Sequence, residues 1–255
     1  MDARKKLGQH FLLDANLTGR IARQAGDLSG RHVVEVGPGP GGLTRSLLET
    51  DAASVLAVEV DARAILALQE LEAAYAGRLR VLAADATRTD LAALAPAPRQ
   101  LVANLPYNIA TPLLIGWLRQ AALWERMTLM FQLEVAERIA AAPDTAAYGR
   151  LSVLAQWTCR TALLMRLPPA AFVPPPKVWS AIVGLVPHDV QPPAALFAAM
   201  ERLTAAAFGQ RRKMLRGSLR TLGGEALLLQ AGIAPERRAE TLDVAEFDRL
   251  ARLTA

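Results

Sequence analysis

A predicted strand, a glycine-rich turn and a predicted helix follow one another in the segment RHVVEVGPGPGGLTRSLLE, residues 31–49. The β-branched run indicates a buried strand, and the apolar spacing after the glycines indicates a helix. Gly37, Gly39 and Gly42 have the spacing G-x-G-x-x-G, which lets the backbone at such a turn approach a bound phosphate or nucleoside. This segment therefore predicts an α/β fold with a ligand site at the turn.

The next hundred residues repeat the alternation. Strand-like segments are separated by segments with helical periodicity, and they read SVLAVEVD, LRVLAADAT, QLVANLPY and MTLMFQ. Strands that alternate with helices at this interval predict a mostly parallel sheet with helices on both faces. Further on, YGRLSVLAQWTCRTALLMRL fits a helix or a strand, and WSAIVGLVP predicts a strand that closes the sheet.

The carboxyl-terminal quarter has a different pattern. HDVQPPAAL is the best candidate for a linker, and the segments beyond it have helical periodicity almost throughout. We therefore predict an α/β domain over residues 1–187 and a small all-helical domain over residues 188–255.

Composition limits the class of protein. The chain has 255 residues, 52% of them hydrophobic, so it can bury a substantial core. A single cysteine, Cys159, excludes an intramolecular disulfide framework, and three scattered histidines give no metal-ligand spacing, so we expect no metal. No apolar signal segment or apolar stretch of about twenty residues is present, so we expect a soluble, cytoplasmic protein that does not enter a membrane. We also expect a monomer.

Positive charge is unevenly distributed along the chain. The formal net charge is +5, and residues 202–220 contain six basic residues and no acidic one. Such a segment favours a polyanionic partner, although it is also typical of a solvated helix face.

Acidic residues follow the next two predicted strands. Glu59 is placed to accept hydrogen bonds from both hydroxyls of a ribose, an arrangement that serves a nicotinamide dinucleotide or any other adenosine-containing ligand. Asp85 is placed to accept from the exocyclic amine of an adenine, and the N–H of Ala86 is available to a ring nitrogen. Asn104 then begins the segment NLPY, where a dehydrogenase would need an open surface for its nicotinamide ring. This segment favours a chemistry other than hydride transfer.

Eight segments, in this order, resemble the KsgA family of small-subunit ribosomal RNA adenine dimethyltransferases: GQHFL, VEVGPGPGGLT, AVEVD, DA, NLPYNIATPLL, YGRLSV, FVPPPKVWSA and FGQRRKMLRGSL. The resemblance covers almost the whole chain. It implies a Rossmann-like S-adenosylmethionine-dependent methyltransferase domain followed by a small helical domain. It also implies N6,N6-dimethylation of two adjacent adenosines in the 3′-terminal hairpin loop of 16S rRNA, within the small ribosomal subunit or its precursor, and a role in its biogenesis.

The resemblance also implies which residues bind S-adenosylmethionine. Many family members have Asn where this chain has His10. By this resemblance the cofactor-binding residues are His10, Leu12, Gly37, Glu59, Asp85 and Asn104. Ala86 joins them because it directly follows Asp85, as argued above.

The chemistry of the NLPY segment agrees with methyl transfer to an adenine amine. The N6 lone pair is delocalised into the ring, so the amine is a poor nucleophile until its hydrogens are held out of plane. The amide oxygen of Asn104 and the carbonyl of Leu105 or Pro106 can each accept one N–H. Neutral acceptors are sufficient because the transfer moves positive charge from sulfur to nitrogen.

Aromatic residues are expected to hold the target base once it leaves its stack. Tyr107 supplies one π face, and Phe172 is the candidate for the second wall, although ordinary core packing is the alternative for Phe172. Pro106 stiffens the turn by fixing its own φ. The following helix is expected to begin near Pro112, with Thr111 as its cap.

The basic segment is expected to contact rRNA. Arg211, Arg212 and Lys213 can neutralise phosphates, with binding that weakens as salt rises.

Three other functions remain open from the residues. One is a 23S rRNA adenine-N6 methyltransferase of the resistance type, which more often has Ile in an N-I-P-Y segment. A DNA adenine-N6 methyltransferase fits less well, because its pattern usually has two prolines after Asn or Asp. A mainly non-catalytic assembly factor for the small subunit is the alternative from a different class.

Overall fold

The computed structural model describes residues 10–210 and 212–255. The chain divides into two compact units. The first unit contains Met1–Ala136 and Ala162–Pro187, and the second contains Glu137–Thr161 and His188–Ala255. One of these boundaries falls at residues 187 and 188, where the sequence suggests the linker, and the second unit also takes in residues 137–161.

The described residues form nine strands in two sheets. In chain order the strands are β1 (Phe11–Leu12), β2 (His32–Val36), β3 (Ser54–Glu59), β4 (Leu79–Ala83), β5 (Arg99–Asn104), β6 (Arg126–Gln132), β7 (Cys159–Leu167), β8 (Phe172–Val173) and β9 (Ser180–Pro187). The main sheet has the order β4-β3-β2-β5-β6-β9-β7, and β1 pairs with β8 in a small antiparallel sheet.

Ten α-helices accompany these strands within the described residues. They are α1 (Ala15–Gln24), α2 (Gly42–Leu48), α3 (Ala62–Ala74), α4 (Tyr107–Leu118), α5 (Leu133–Ile139), α6 (Arg150–Thr158), α7 (Ala194–Gly209), α8 (Leu215–Ser218), α9 (Gly224–Gln230) and α10 (Val244–Leu253). Asp14 is the cap of α1 and accepts hydrogen bonds from the N–H groups of Asn16 and Leu17.

Five strands of the main sheet are parallel, and their order reverses once. From β2 the chain builds outward to β3 and β4, then returns to pair β5 with the other side of β2. β6 continues in parallel beside β5, and β9 is antiparallel to β6. In open α/β sheets, ligands bind outside the carboxyl ends of the strands where the order reverses, which here lies between β2 and β5.

The central strands are covered on both faces. Consecutive residues of a strand point to opposite faces, and Val33 to Val36 and Gln100 to Ala103 are all buried. One core cluster joins the strands to α1, α2 and α3 through Ile21, Leu47 and Leu68. The predicted α/β fold with a mostly parallel sheet is therefore confirmed.

Three local expectations change. α4 begins at Tyr107 with Pro106 as its cap, so Thr111 is not the cap and Pro112 lies inside the helix. The reason is that Pro106 already has non-helical backbone angles, with φ of −57° and ψ of 127°, and its carbonyl accepts the N–H of Ile109. The ambiguous segment divides into α6 and β7, and the edge strand of the sheet is β7 rather than β9.

Aromatic residues form much of the core of the second unit. The ring of Phe208 stacks on Phe247 with centroids 5.6 Å apart and meets Tyr148 edge-on at 6.1 Å. Trp157 packs on Phe197 at 5.9 Å and donates its indole N–H to Asp248 at 3.0 Å. The described part of residues 188–255 consists of helices and turns.

None of the described helices is both long and apolar enough to cross a membrane. Within the same residues, no group of three or more His, Cys, Asp or Glu side chains is arranged to hold a metal ion.

Candidate active site

A cleft of about 280 Å³ lies where the strand order reverses. It is built in the first unit from the residues before α1, the glycine turn after β2 and the ends of β3 to β5. Its lining includes nine of the predicted catalytic and cofactor-binding residues, namely His10, Leu12, Gly37, Glu59, Asp85, Asn104, Leu105, Pro106 and Tyr107.

The glycine turn lets three chain segments approach one another closely. Gly37 has a φ of +71°, and a Cβ built there would lie 3.5 Å from the carbonyl oxygen of Asn104. Gly42, the first residue of α2, is more restricted, because a Cβ there would lie 2.2 Å from the carbonyl oxygen of Leu12. Glycine at position 42 therefore allows β1 to lie directly against the turn and to form one wall of the cleft.

Glu59 ties the turn to the end of β3. Its Oε2 accepts the N–H of Gly39 at 3.1 Å, and its Oε1 accepts those of Val60 and Asp61 at 2.8 and 2.9 Å. The residue is only 6% exposed and still lines the cleft. These three N–H groups fix the carboxylate in place, so it is held ready to accept hydroxyl donors from a ligand.

Asp85 follows β4 and faces the other end of the cleft. Its Oδ1 accepts the hydroxyl of Thr87 at 2.7 Å and the N–H of Thr87 at 2.9 Å. These hydrogen bonds from Thr87 hold the pKa of Asp85 below its usual value. The side chain is therefore a half-exposed carboxylate that can accept a hydrogen bond from an amine.

Asn104 ends β5 and is oriented by the backbone before α1. Its Nδ2 donates to the carbonyl oxygen of His10 at 3.1 Å. Because the amide nitrogen is used in this way, Oδ1 is the atom left to accept from a ligand. Pro106 beside it uses its carbonyl to accept the N–H of Ile109, which favours the carbonyl of Leu105 as a second acceptor.

Tyr107 is fixed from two sides. Its hydroxyl lies 2.6 Å from the hydroxyl of Ser180, and its ring centroid lies 5.5 Å from that of His10, with an angle of 31° between the planes. Burial raises the pKa of the Tyr107 hydroxyl, against the opposing effect of the hydrogen bond to Ser180. The His10 Nδ1 lies 2.9 Å from the carbonyl oxygen of Pro174, so His10 joins the segment before α1 to that after β8.

Glu35 is a cleft residue that the sequence reasoning missed. It lies in β2 between two buried valines, is 1% exposed and lines the cleft. Burial raises the pKa of its carboxyl group to about 8, helped by the charge of Glu59 and opposed by the hydroxyl of Thr44. The signal was present, because a carboxylate interrupting an otherwise apolar central strand is unusual.

Several predicted residues lie away from the cleft. Phe172 is 2% exposed, pairs with Leu12 across the small sheet and belongs to the core, so it does not present a face to the cleft here. Ala86 lines a neighbouring depression with Trp117 and Trp124. Arg212 and Lys213 are exposed in the second unit, and Arg211 lies outside the described residues.

Comparison with known proteins shows the family of this chain. The model of the family described as "Ribosomal RNA adenine dimethylase" matches residues 1–255. The chain belongs to the ribosomal RNA adenine dimethylase family. The protein named "Ribosomal RNA small subunit methyltransferase A" from Gluconobacter oxydans is 64% identical over 253 residues, which are 99% of this chain and 84% of that protein. The protein of the same name from Paramagnetospirillum magneticum is 56% identical over 99% of this chain and 90% of its own length.

Solved structures of similar proteins agree with this family. The crystal structure of a dimethyladenosine transferase from Plasmodium falciparum matches with a TM-score of 0.79 and 26% identity, covering 94% of this chain and 96% of that one. The crystal structure of the 23S rRNA methyltransferase ErmE matches with a TM-score of 0.71 and 26% identity, covering 96% and 99%. The resemblance stated from the eight segments is confirmed, and the chain has the fold of an rRNA adenine methyltransferase.

Proposed function

We propose that this chain uses S-adenosylmethionine to dimethylate the N6 amines of two adjacent adenosines in the 3′-terminal hairpin loop of 16S rRNA. The observation that carries the proposal is the hydrogen bond from Asn104 Nδ2 to the carbonyl of His10. This hydrogen bond fixes the orientation of the amide, so that its Oδ1 is free to accept a hydrogen bond from an incoming amine at the end of β5.

The residues of the cleft fit an adenosine-containing cofactor. Glu59 and Asp85 lie at the ends of adjacent strands and supply acceptors suited to ribose hydroxyls and to an adenine amine. Gly37 supplies the close backbone approach, and Glu35 adds a buried carboxyl group to the lining. When bound, S-adenosylmethionine would supply a methyl group activated by a sulfonium.

Asn104 and Leu105 orient the target amine. The Oδ1 of Asn104 accepts one N6 hydrogen and the carbonyl of Leu105 accepts the other, which draws the nitrogen lone pair out of the ring plane and toward the methyl donor. Both acceptors are neutral, so they stabilise positive charge that develops on nitrogen without binding a proton. Holding both partners in line reduces the entropic part of the barrier.

Tyr107 holds the extruded base. Its ring is fixed by Ser180 and His10, so the base can stack on the part of the ring that His10 leaves uncovered. Stacking on an aromatic residue contributes roughly 1 to 3 kcal/mol per base, which helps to offset the cost of unstacking.

The degree of identity supports the small-subunit substrate over 23S rRNA. Relatives named as small-subunit methyltransferases are 54% to 64% identical to this chain, against 26% for the 23S enzyme. We further propose that the substrate is 16S rRNA within the small subunit or its precursor, and that the enzyme acts as a cytoplasmic monomer. A structural role in subunit assembly is compatible with the same surface.

The test is methylation of a mixture of 16S and 23S rRNA by the wild-type chain and by Asn104→Ala. We expect dimethyladenosine, mapped by mass spectrometry, at two adjacent positions with the wild type. The variant, with its amide acceptor removed, should lose at least about 100-fold in rate, the scale for one such acceptor or donor. Methylation by the variant at an undiminished rate would contradict the mechanism, and dimethyladenosine only in 23S rRNA would contradict the substrate.

A further inference from the structure

The segment that joins β8 to β9 carries an exposed tryptophan. Trp179 is 48% exposed, whereas Trp117 and Trp124 are 6% and 3% exposed and Trp157 is partly buried. The structure describes all four tryptophans of the chain, so Trp179 is the one whose indole the fold leaves open to solvent. An indole is a large apolar surface with a π face, and the core uses little of this one. The position points to a role in binding a ligand.

Trp179 lies at the edge of the sheet that also holds the active site. Ser180, the next residue, begins β9 and pairs with Gln132 at the carboxyl end of β6. β6 runs parallel to β5, which ends with Asn104 at the same edge. The carbonyl oxygen of Trp179 accepts the N–H of Leu133 at 2.8 Å, which fixes the backbone at this position. Trp179 is therefore held two strands away from the amide that accepts the target amine.

Both ends of the segment are tied to Tyr107. At one end, His10 lies 2.9 Å from the carbonyl oxygen of Pro174, and its ring lies 5.5 Å from the ring of Tyr107. At the other end, the hydroxyl of Ser180 lies 2.6 Å from the hydroxyl of Tyr107. Consecutive Cα atoms are about 3.8 Å apart, so Trp179 directly adjoins a residue that contacts Tyr107.

The charge of this part of the chain suits a polyanion. Residues 145–188 include four basic residues and no acidic one. Lys177 stands two positions before Trp179 and is also exposed. An aromatic ring beside a cation is the combination that binds single-stranded nucleic acid, because a base stacks on the ring while the cation attracts the phosphates.

The target adenosine itself leaves no place for its own base on Trp179. Its amine must reach Asn104 and its ring must lie on Tyr107 for the transfer proposed above. Extruding that base from its stack leaves the next base of the strand without a stacking partner on one side. The adjacent base is therefore the group that needs a new π face just outside the cleft.

We propose that Trp179 binds the RNA by stacking on the nucleobase directly adjacent to the target adenosine. This inference rests on the proposed function. The cleft fixes the direction of the bound strand, so the stacked base lies on the same side of the target in both transfers. Stacking tolerates any base, so Trp179 serves both transfers even though the neighbour changes between them.

The test uses small-subunit particles reconstituted with 16S rRNA in three versions. One version is intact, and the other two have an abasic nucleotide on the 5′ or the 3′ side of one target adenosine. Mass spectrometry follows transfer to that adenosine by the wild type and by Trp179→Ala. With intact particles we expect the variant to lose about 5- to 150-fold in kcat/KM, the range equivalent to stacking of one base.

The abasic versions locate the stacked base. On one side, removal of the base should lower the wild type to the level of Trp179→Ala and abolish the effect of the substitution; on the other side, the effect should persist. No effect in intact particles, or an equal effect in all three versions, overturns the inference and leaves the proposed function intact. Failure of the wild type to methylate intact particles overturns the proposed function itself.

Two further substitutions at position 179 separate stacking from apolar contact. Trp179→Phe keeps a π face and should retain most of the activity, whereas Trp179→Leu keeps apolar volume alone and should resemble Trp179→Ala. Leu66→Ala, at a site on α3 that is 66% exposed, is the control for loss of an exposed apolar side chain and should behave like the wild type. Equal activity of the Phe and Leu variants at position 179 would contradict stacking.

A spectroscopic measurement reports the stack without relying on rates. 2-Aminopurine, whose fluorescence is quenched by stacking, replaces the base on the side that the abasic particles identify. We expect weak fluorescence in the complex with the wild type and stronger fluorescence in the complex with Trp179→Ala. Equal fluorescence in the two complexes, with both proteins at saturating concentration, would overturn the assignment of Trp179.

Discussion

At the scale of single residues, Tyr107 offers the sharpest test of base stacking, because its ring and its hydroxyl have separable partners. Tyr107→Ala removes the ring, and we expect kcat/KM to fall by about 5- to 150-fold, the equivalent of roughly 1 to 3 kcal/mol of stacking. Tyr107→Phe keeps the ring and loses only the hydrogen bond to Ser180, so it should lose about tenfold or less. Steady-state methylation of rRNA fragments measures both.

Ser180→Ala is the matched control for the hydroxyl. It removes the other half of the same hydrogen bond, so it should resemble Tyr107→Phe, and the double variant should be no worse than either alone. Equal losses in the Phe and Ala variants at position 107 would show that the hydroxyl, and not stacking, accounts for the effect of Tyr107.

The sequence predicts a site residue when that residue acts through its side chain and lies at the end of a strand. Glu59 and Asn104 end strands and Asp85 comes shortly after one, so their places at the cleft could be predicted. The backbone carbonyl of His10 that orients Asn104 could not, because a carbonyl has no signature in the sequence. For Phe172 the residue type suits stacking whereas the fold buries the ring in the core, so the sequence alone does not place it at the cleft.

At the scale of elements, the contact between β1 and the start of α2 forms one wall of the cleft. Gly42→Ala would bring a Cβ to 2.2 Å from the carbonyl oxygen of Leu12, and backbone cannot move aside as a flexible side chain can. We expect a loss of about 1 to 3 kcal/mol in the free energy of unfolding, measured by urea denaturation, and weaker cofactor binding as β1 is displaced.

Gly116→Ala is the control for this substitution. Gly116 lies inside α4, and a Cβ there would meet nothing within 4 Å. The same chemical change should therefore stabilise the protein by about 0.4 to 1 kcal/mol. A Gly42→Ala variant as stable as Gly116→Ala would mean that β1 does not depend on the close approach seen at the turn.

Helices and strands whose sequence pattern is local could be predicted, and pairings between distant segments could not. The parallel strands and the helices between them follow from apolar periodicity, and β9 follows from its β-branched run. The pairing of β1 with β8 joins Phe11 to Val173, and nothing in either two-residue strand predicts a partner so distant in the chain. The start of α4 was predicted too late in the chain, because proline is typical of the first turn of a helix. In the structure Pro112 lies inside α4. The burial of Leu113, Leu114 and Trp117 on this helix offsets the backbone hydrogen bond that Pro112 cannot make.

At the scale of the whole molecule, charge is distributed unevenly along the chain. The net charge is +5, and the segment from 202 to 220 has six basic residues and no acidic one. Of its described cations, Arg216 lies 3.6 Å from Glu236, and Arg212, Lys213 and Arg220 are exposed. Lys213 and Arg220 also line a groove in the second unit, between α7 and the residues of α8. A polyanion bound there would release counterions, so its affinity should fall with salt.

Lys213→Glu tests this surface against a matched charge reversal. We expect rRNA binding to weaken by about fivefold near physiological salt, which is equivalent to about 1 kcal/mol. The slope of log affinity against log salt concentration should become shallower by about 0.7 to 0.9 for each phosphate that the variant no longer neutralises. Arg80→Glu changes the net charge equally, from an exposed position on the edge strand β4. Filter binding across a salt series compares the two variants. If both reduce affinity and slope alike, the effect comes from net charge alone, and the groove has no specific part in binding rRNA.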